Sequence, residues 1–190
     1  MKNFVAKFGM RLDLERNYFI TSDLHFFHNN IMNFCPTTRP WQTVEEMHEA
    51  LVEHWNSVVG ENDVVFHVGD FAFSGIEKTQ SIIDRLNGTI VFIMGNHDKT
   101  VRNQVKSPNR FDYLEVSYNK TKLCLFHYAL RVWNQQHRGS VHFYGHSHGS
   151  LEGTGRSMDV GFDAHGRILP LDWAVEQMLA IDNTETEDHH

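Results

Sequence analysis

The sequence predicts an α/β domain, and three features support that prediction. Short apolar or β-branched runs alternate with segments whose apolar residues recur at helical spacing. The length of 190 residues lies within the usual size of one domain, roughly 100–200 residues. The composition, 41% hydrophobic and 22% charged, is that of an ordinary globular protein. We therefore expect one domain over residues 1–183 and a solvated tail over 184–190.

The predicted strands are short runs of β-branched, aromatic and aliphatic residues. They are Tyr18–Thr21, Val64–Val68, Thr89–Met94, Leu114–Tyr118, Lys122–Phe126, Val141–Tyr144 and Ser157–Val160. The pair Asn119-Lys120 separates two of these runs, so we expect a tight hairpin turn between them.

Three helices are predicted in addition to the strands. The clearest begins after Thr43, which forms a capping-box pattern with Glu46 and precedes a run of apolar residues at helical spacing. The other two helices are expected over Glu77–Leu86 and Leu171–Ile181.

Charge and cysteine content exclude several classes of protein. A formal net charge of -7, from 17 basic and 24 acidic residues, argues against a broad basic surface for nucleic acid. Cys35 and Cys124 are too few for a disulfide framework and are expected to be free thiols. No apolar run approaches the roughly 20 residues of a membrane helix, and no secretory signal is visible. We expect a cytoplasmic protein with no membrane association.

Residue types that bind metals follow five successive strands at the same end. In α/β sheets, ligand sites collect at the carboxyl ends of strands, because the loops there converge. The seven donors are Asp23, His25, Asp70, Asn96, His127, His146 and His148.

This set of donors favours two divalent metal ions. Carboxylate, imidazole and amide ligands suit borderline or hard metals, and the absence of cysteine among them argues against a structural zinc site. Seven donors are too many for one ion but suit two ions that share a carboxylate at roughly 3.5–4 Å. A metal-bound water with its pKa lowered toward ~7 would be the nucleophile.

The order and spacing of these motifs resemble those of the calcineurin-like metallophosphoesterases. The matching motifs are Ser22-Asp23-Leu24-His25, Gly69-Asp70, Gly95-Asn96-His97-Asp98, His127 and Gly145-His146-Ser147-His148. They extend over residues 18 to about 165. The resemblance implies a two-sheet α/β/β/α sandwich with a dinuclear centre between the loops at the strand ends.

The resemblance also implies a role for each motif residue. One metal ion would be held by Asp23, His25, Asp70 and His148. The other would be held by Asn96, His127, His146 and the bridging Asp70. As the catalytic pair, His97 would protonate the leaving oxygen or stabilise the transition state, and Asp98 would orient the His97 ring.

Two departures from related subclasses narrow the expectation. Protein phosphatases of this superfamily carry an Asp-Arg-Gly segment after the second motif, which is absent here, and a Glu where this chain has Asp98. Purple acid phosphatases have a tyrosine ligand where this chain has Phe73. Manganese is therefore the expected metal, with Fe, Zn or Ni as alternatives. The chain looks most like the compact, single-domain phosphodiesterase and phosphatase branch.

The sequence thus predicts an enzyme, a metal-dependent phosphoric ester hydrolase. It would cleave phosphodiester or phosphomonoester bonds of a small substrate by attack of a metal-bridging hydroxide. Candidate substrate contacts are His28, Arg131 and His137. One alternative is a nuclease that uses the same metals. Nucleic acid is therefore expected only as a possible substrate. Another is a non-catalytic interaction module, which the complete ligand set disfavours.

Several polar residues outside the motifs are expected to have no functional role. His67 and His142 lie within strands and should be packed there. His48 and His54 lie away from the apolar centre of the first helix and should be solvated. Asp163, with the neighbouring His165, is expected only to shape a turn.

Overall fold

Two five-stranded β-sheets form the body of the protein over residues 6–13 and 15–182, which the computed structural model describes. The strands are β1 (Ala6–Arg11), β2 (Tyr18–Thr21), β3 (Val64–Val68), β4 (Thr89–Ile93), β5 (Arg110–Phe111), β6 (Tyr113–Tyr118), β7 (Thr121–Leu125), β8 (Val141–Tyr144), β9 (Ser157–Asp159) and β10 (Leu169–Pro170). The helices are α1 (Ile31–Phe34), α2 (Val44–Val58), α3 (Ile76–Ile83), α4 (Lys99–Asn103), α5 (Phe162–His165) and α6 (Leu171–Leu179), with a 3-10 helix at Gln136–Arg138. The predicted tail over 184–190 lies outside the described residues, and the single-domain boundary stays a prediction.

Strand order places several carboxyl ends at one edge of each sheet. The first sheet has the order β10-β2-β3-β4-β5, in which β2 to β5 are parallel and β10 is antiparallel. The second has the order β1-β6-β7-β8-β9, in which only the β6–β7 pair is antiparallel. Because β2, β3 and β4 run the same way, the loops that follow them emerge side by side.

Two apolar layers hold this arrangement together. One lies between the sheets and includes Ile20, Phe66 and Phe143, none of which is exposed to solvent. The other lies between the first sheet and the helices, where Trp55 of α2 packs with Val65 and other strand residues. Side chains alternate in direction along a strand, so neighbouring residues of β3 serve different layers. The predicted two-sheet α/β sandwich is confirmed.

The start of α2 and the hairpin turn are as the sequence predicts. The Glu46 N–H donates to Thr43 Oγ1 at 3.1 Å, and the Glu46 carboxylate accepts from the Thr43 N–H at 3.3 Å. This reciprocal pair satisfies two N–H groups that the helix itself cannot. Asn119 and Lys120 both have positive φ, 45° and 68°, as a two-residue hairpin turn requires.

The prediction that His48 and His54 are solvated is wrong. His48 is only 6% exposed, and its Nε2 accepts a hydrogen bond from the Phe27 N–H at 2.8 Å. His54 is half-buried, and its Nε2 accepts from the Ile168 N–H at 3.1 Å. Loops pack over this flank of α2, and their buried N–H groups need acceptors, which the two imidazoles provide.

Two of the predicted helices differ from the structure at their ends. The second predicted helix begins one residue earlier and ends at Ile83, and the last helix ends at Leu179. No helix in the described part of the chain is long and apolar enough to cross a lipid bilayer.

Candidate metal centre

Loops from both sheets meet at the carboxyl ends of the strands. The loops after β2 and β3 continue the strand pairing, since the Asp23 N–H donates to Gly69 O at 2.9 Å and the His25 N–H to Asp70 O at 3.1 Å. The loop after β8, in the other sheet, is joined to them by a bond from the His146 N–H to Asp23 Oδ2 at 2.9 Å. The predicted donors of the two sheets therefore face one another.

Backbone strain is concentrated at the predicted ligands. Five of the seven have φ in the left-handed region, between 49° and 69°: Asp23, His25, Asp70, His146 and His148. Such a conformation in a non-glycine residue costs on the order of 1–3 kcal/mol and persists only where the surroundings enforce it. Strain of this kind clusters at functional sites, which supports a function for these loops.

One group of donors consists of Asp23, His25 and His148, whose ligand atoms all lie within 4.8 Å of one another. Asp23 Oδ1 lies 3.6 Å from His25 Nε2 and 3.9 Å from His148 Nε2. One carboxylate oxygen and two imidazole nitrogens thus surround one small volume, as ligands of one cation do.

A second group consists of Asp70, His127 and His146, also within 4.8 Å of one another. Asn96 belongs with them, because its Oδ1 lies 3.1 Å from His127 Nε2. His127 Nδ1 donates to Val68 O at 2.8 Å, so Nε2 is the nitrogen that faces Asn96 and Asp70.

Asp70 links the two groups. Its Oδ2 lies 3.8 Å from His25 Nε2 and 3.5 Å from His127 Nε2, so the same oxygen faces both. Its other oxygen, Oδ1, accepts the His97 N–H at 2.9 Å and fixes the carboxylate in that orientation. This is the position that a bridging carboxylate would occupy.

Orphaned polar atoms test whether the site fits metal ions. Asp23 Oδ1 and His25 Nε2 are buried and have no hydrogen-bond partner among the described residues. Leaving such atoms unpaired costs about 1–3 kcal/mol each, or more for a charged group. Both point into the space shared with His148, so a cation there would satisfy them. The residues fit the metal ions that the sequence implies.

The protonation states agree with a site made for cations. Burial raises the pKa of Asp70, but His127, the His97 N–H and His25 outweigh it and lower the value to about 2. Burial also lowers the pKa of His25, which keeps that imidazole neutral and able to bind metal. His127 differs: burial lowers its pKa, but Asp70 and Asp23 outweigh burial and raise it to about 9. The carboxylates therefore attract positive charge to the second group.

The expectation that Asp163 only shapes a turn is wrong. Asp163 Oδ2 accepts from His148 Nδ1 at 2.7 Å, so the Nε2 of that ring is directed at Asp23. Arg39, which is 1% exposed, binds both oxygens of Asp163 at 2.8 and 3.0 Å. Carboxylates that orient a metal-binding histidine in this way also raise its affinity for the metal.

The expectation that Asp98 orients the His97 ring is also wrong. Asp98 is 1% exposed, and its two oxygens accept three backbone N–H groups at 2.8 Å, those of Gly95, Asp70 and Phe71. It therefore joins the loops after β3 and β4 from inside. Gly95 allows this close approach, because a Cβ there would overlap the Asp70 side chain.

His97 is held by an aromatic contact instead. Its ring lies 4.2 Å from that of Phe73, centre to centre, and its Nε2 lies 4.0 Å from Asp70 Oδ2. The ring is 44% exposed, so one face remains open to a substrate. His28 also stacks on Phe73, with ring centres 4.2 Å apart. Burial, with the neighbouring charges, lowers the pKa of His28 to about 4, so it is neutral at pH 7.

The other candidate contacts are in the segment before β8. Arg131 lines a pocket with Leu130, Tyr144 and Leu151. His137 lies in the 3-10 helix beside Arg138. Sequence reasoning missed Tyr128, whose hydroxyl lies 3.4 Å from Asn96 Oδ1. Its position directly after His127 was the only available signal.

Fold and site together define a class of protein: an α/β sandwich with candidate metal ligands where strands of both sheets end. The family model of the calcineurin-like phosphoesterase superfamily domain matches residues 17–160. The chain therefore belongs to that superfamily, whose members are metal-dependent phosphoesterases.

The chain is also similar to two other proteins in sequence and to one solved structure in fold. An uncharacterised protein of Methanocaldococcus jannaschii, MJ1445, is 36% identical over 135 residues, which cover 70% of each chain. The gene 66 protein of Mycobacterium phage D29 is 26% identical over 203 residues, covering 87% of this chain and 98% of the phage protein. Among solved structures, the Aquifex aeolicus protein AQ665, of unknown function, superposes with a TM-score of 0.69. It is 20% identical, and the match covers 85% of this chain and 99% of that one, so it supports the fold alone.

Proposed function

We propose that the protein hydrolyses phosphodiester or phosphomonoester bonds of a small substrate at a centre of two divalent metal ions. The observation that carries this proposal is the position of Asp70 Oδ2, within 3.8 Å of His25 Nε2 and 3.5 Å of His127 Nε2. One oxygen shared by two ligand groups is the arrangement that a pair of ions needs.

The ligand set would hold one ion with Asp23, His25, Asp70 and His148. The second would be held by Asp70, Asn96, His127 and His146. When bound, two such ions supply an activated water and the positive charge that stabilises a phosphoester in the transition state. Manganese is the preferred metal, with Fe, Zn or Ni as alternatives, because the donors are nitrogen and oxygen and Phe73 offers no phenolate.

The neighbouring side chains suit direct hydrolysis without a phosphoenzyme. Ser22 Oγ is buried and donates to Val68 O at 2.7 Å, and Ser147 Oγ donates to Gly145 O at 3.2 Å. Ser147 Oγ also donates to Asp159 Oδ2 at 3.2 Å, but that carboxylate accepts the Gly149 and Gly161 N–H groups as well. Neither hydroxyl is therefore next to a base that is free to activate it as a nucleophile. The exposed ring of His97 is the group positioned to donate a proton from Nε2 to the leaving oxygen.

Hydrolysis of chromogenic esters by metal-loaded protein tests the proposal. After chelation and reloading with Mn(II), the protein should cleave bis-p-nitrophenyl phosphate or p-nitrophenyl phosphate, and Asp23→Asn should lose most of that activity. Asp84→Asn removes an exposed carboxylate directly after α3; this variant is the matched control and should behave as the wild type. Hydrolysis that persists in the chelated protein, or in Asp23→Asn at full rate, would contradict the proposal.

A further inference from the structure

A cleft of about 500 Å³ opens directly beside the second ligand group. Asn96, one of the predicted ligands, lines its inner end, and the loop after β4, α4 and the segment after β7 form its walls. Since no other predicted ligand lines this cleft, it extends the metal centre to one side. A substrate whose phosphate lies at the metals would project the rest of its structure here.

One wall of the cleft is cationic. Lys99 and Arg102 lie three residues apart on α4, on the same face of the helix, and both line the cleft. Arg102 forms an ion pair with Asp112, which is 6% exposed and also lines the cleft. Lys99 is exposed and forms no ion pair with any residue in the described part of the chain. The three charges sum to one positive charge, next to a site that would hold two cations.

Two aromatic side chains also line the cleft. Phe126 and Tyr128 both line the cleft, with ring centres 5.7 Å apart. Tyr128 is 40% exposed, a large fraction for an aromatic side chain beside an active site. Its hydroxyl contacts Asn96 Oδ1 at 3.4 Å and its ring lies 4.7 Å from that of His146, which fixes the ring at the edge of the metal centre.

We infer that this cleft binds a nucleotide portion of the substrate, with a second phosphate at Lys99 and Arg102 and the sugar or base against Tyr128. The inference rests on the proposed function and names its substrate class. A phosphate needs the cations, and a flat ring needs the aromatic face. The volume is that of a small-molecule site, which holds one nucleotide rather than a strand. The net charge of -7 likewise disfavours a polynucleotide.

A matched pair of substrates tests this assignment. Thymidine 5′-(p-nitrophenyl phosphate) and its 3′-phosphorylated derivative contain the same scissile bond and differ only in the second phosphate. The Mn(II)-loaded wild type should show a kcat/KM about tenfold higher for the 3′-phosphorylated substrate, the effect of one charged hydrogen bond. Lys99→Gln should remove most of this advantage through KM, and Lys99→Arg should keep it. Lys106→Gln, an exposed lysine outside the cleft, is the control and should match the wild type.

Binding provides a readout that does not depend on turnover. In calorimetry, thymidine 3′,5′-bisphosphate should bind the metal-loaded protein about tenfold more tightly than thymidine 5′-monophosphate, and Lys99→Gln should abolish the difference. Equal binding of the two ligands, or an equal loss for both in Lys99→Gln, would overturn the inference. A ten-residue oligothymidylate that binds as tightly as the bisphosphate would also overturn it, in favour of a strand.

The two proposals fail in distinguishable ways. Hydrolysis of bis-p-nitrophenyl phosphate without any preference for a second phosphate would refute the nucleotide cleft and leave the proposed function intact. A Lys99-dependent preference for the bisphosphate in a protein that hydrolyses no ester would support the cleft and refute the proposed function.

Discussion

The predicted ligands at the candidate centre use some of their polar atoms for hydrogen bonds within the protein and direct the others at one another. Asp23 and Asp70 each accept a backbone N–H with one oxygen and direct the other at histidine nitrogens. His127 and His148 use Nδ1 for a carbonyl or a carboxylate and direct Nε2 at the carboxylates of Asp70 and Asp23. Because these partners fix each ligand before any metal binds, little reorganisation is needed on binding.

The position of His97 predicts how the rate depends on the leaving group. A general acid matters most when the leaving oxygen is a poor leaving group, such as an alkoxide. His97→Ala should lower kcat on an alkyl phosphoester by about 10²–10⁴-fold, with a clearly smaller loss on a p-nitrophenyl ester. Metal content should remain near normal, because the ring contacts Phe73 and is half exposed. Equal losses on both substrates would mean that His97 positions the phosphate and does not donate a proton.

Substitution of Asp98, unlike substitution of His97, should lower stability and metal content. The Asp98 carboxylate accepts hydrogen bonds from backbone N–H groups. In Asp98→Asn an amide NH₂ would face some of these donors, which should lower the stability of the fold by about 1–3 kcal/mol. The thermal midpoint should fall by roughly 3–10 °C, and metal content should fall with it. His97→Ala, the adjacent substitution, should change neither. A normal midpoint with a shifted pH profile of activity would show instead that Asp98 acts through the His97 ring.

The sequence predicts the candidate donors but not the residues that support them. Each donor directly follows a strand or stands in a short motif, so its position is visible locally. Arg39 and Asp163 act as a pair across 124 residues, and the folded chain alone brings them together. Asp98 stands beside His97 in sequence, yet its backbone partners include Asp70, 28 residues away. Long-range contacts of this kind leave no local pattern.

Most of the longer elements were predicted closely, whereas the shortest ones and the six-residue strand β1 were missed. The limits of β2, β3 and β8 are those expected, and α2 begins at the predicted cap. The strands β5 and β10 have two residues each, too few for any periodicity, and exist because a neighbouring strand pairs with them. The strand β1 likewise pairs in parallel with β6, more than 100 residues later in the chain.

His142 on β8 predicts how stability depends on pH. Its Nδ1 donates to Cys124 O at 2.9 Å and its Nε2 accepts the Leu130 N–H at 3.0 Å, which requires a neutral ring. Burial lowers its pKa to about 4, whereas an unfolded chain would have about 6.5. The unfolded state therefore binds a proton first, and this contribution to stability is complete above pH 6.5 and lost as the pH falls toward 4.

Urea unfolding of the chelated protein measures this effect. Between pH 6.5 and 4.5 the free energy of unfolding should fall more in the wild type than in His142→Gln. At pH 4 the difference between the two losses should reach up to roughly 3 kcal/mol. The variant should be less stable at pH 7, because it gives up the two hydrogen bonds, but should have the shallower slope. Parallel slopes would mean that His142 is not kept neutral in the fold.

The whole molecule brings its two sheets together at the candidate centre. Asp23, Asp70 and Asn96 follow strands of the first sheet, and His127 and His146 follow strands of the second. A pair of ions held there would bind ligands from both sheets, so the carboxylate between the ions matters more than any terminal ligand. That carboxylate is Asp70.

Metal stoichiometry combined with electron paramagnetic resonance of the Mn(II)-loaded protein tests the bridge most directly. The wild type and Asp84→Asn should bind two ions per chain and show the spectrum of a spin-coupled manganese pair. Asp70→Asn should lose the coupling and at least one ion, because each site loses a ligand and the ions lose the charge between them. A single tight ion in the wild type, or a coupled pair that survives in Asp70→Asn, would contradict a dinuclear centre bridged by Asp70.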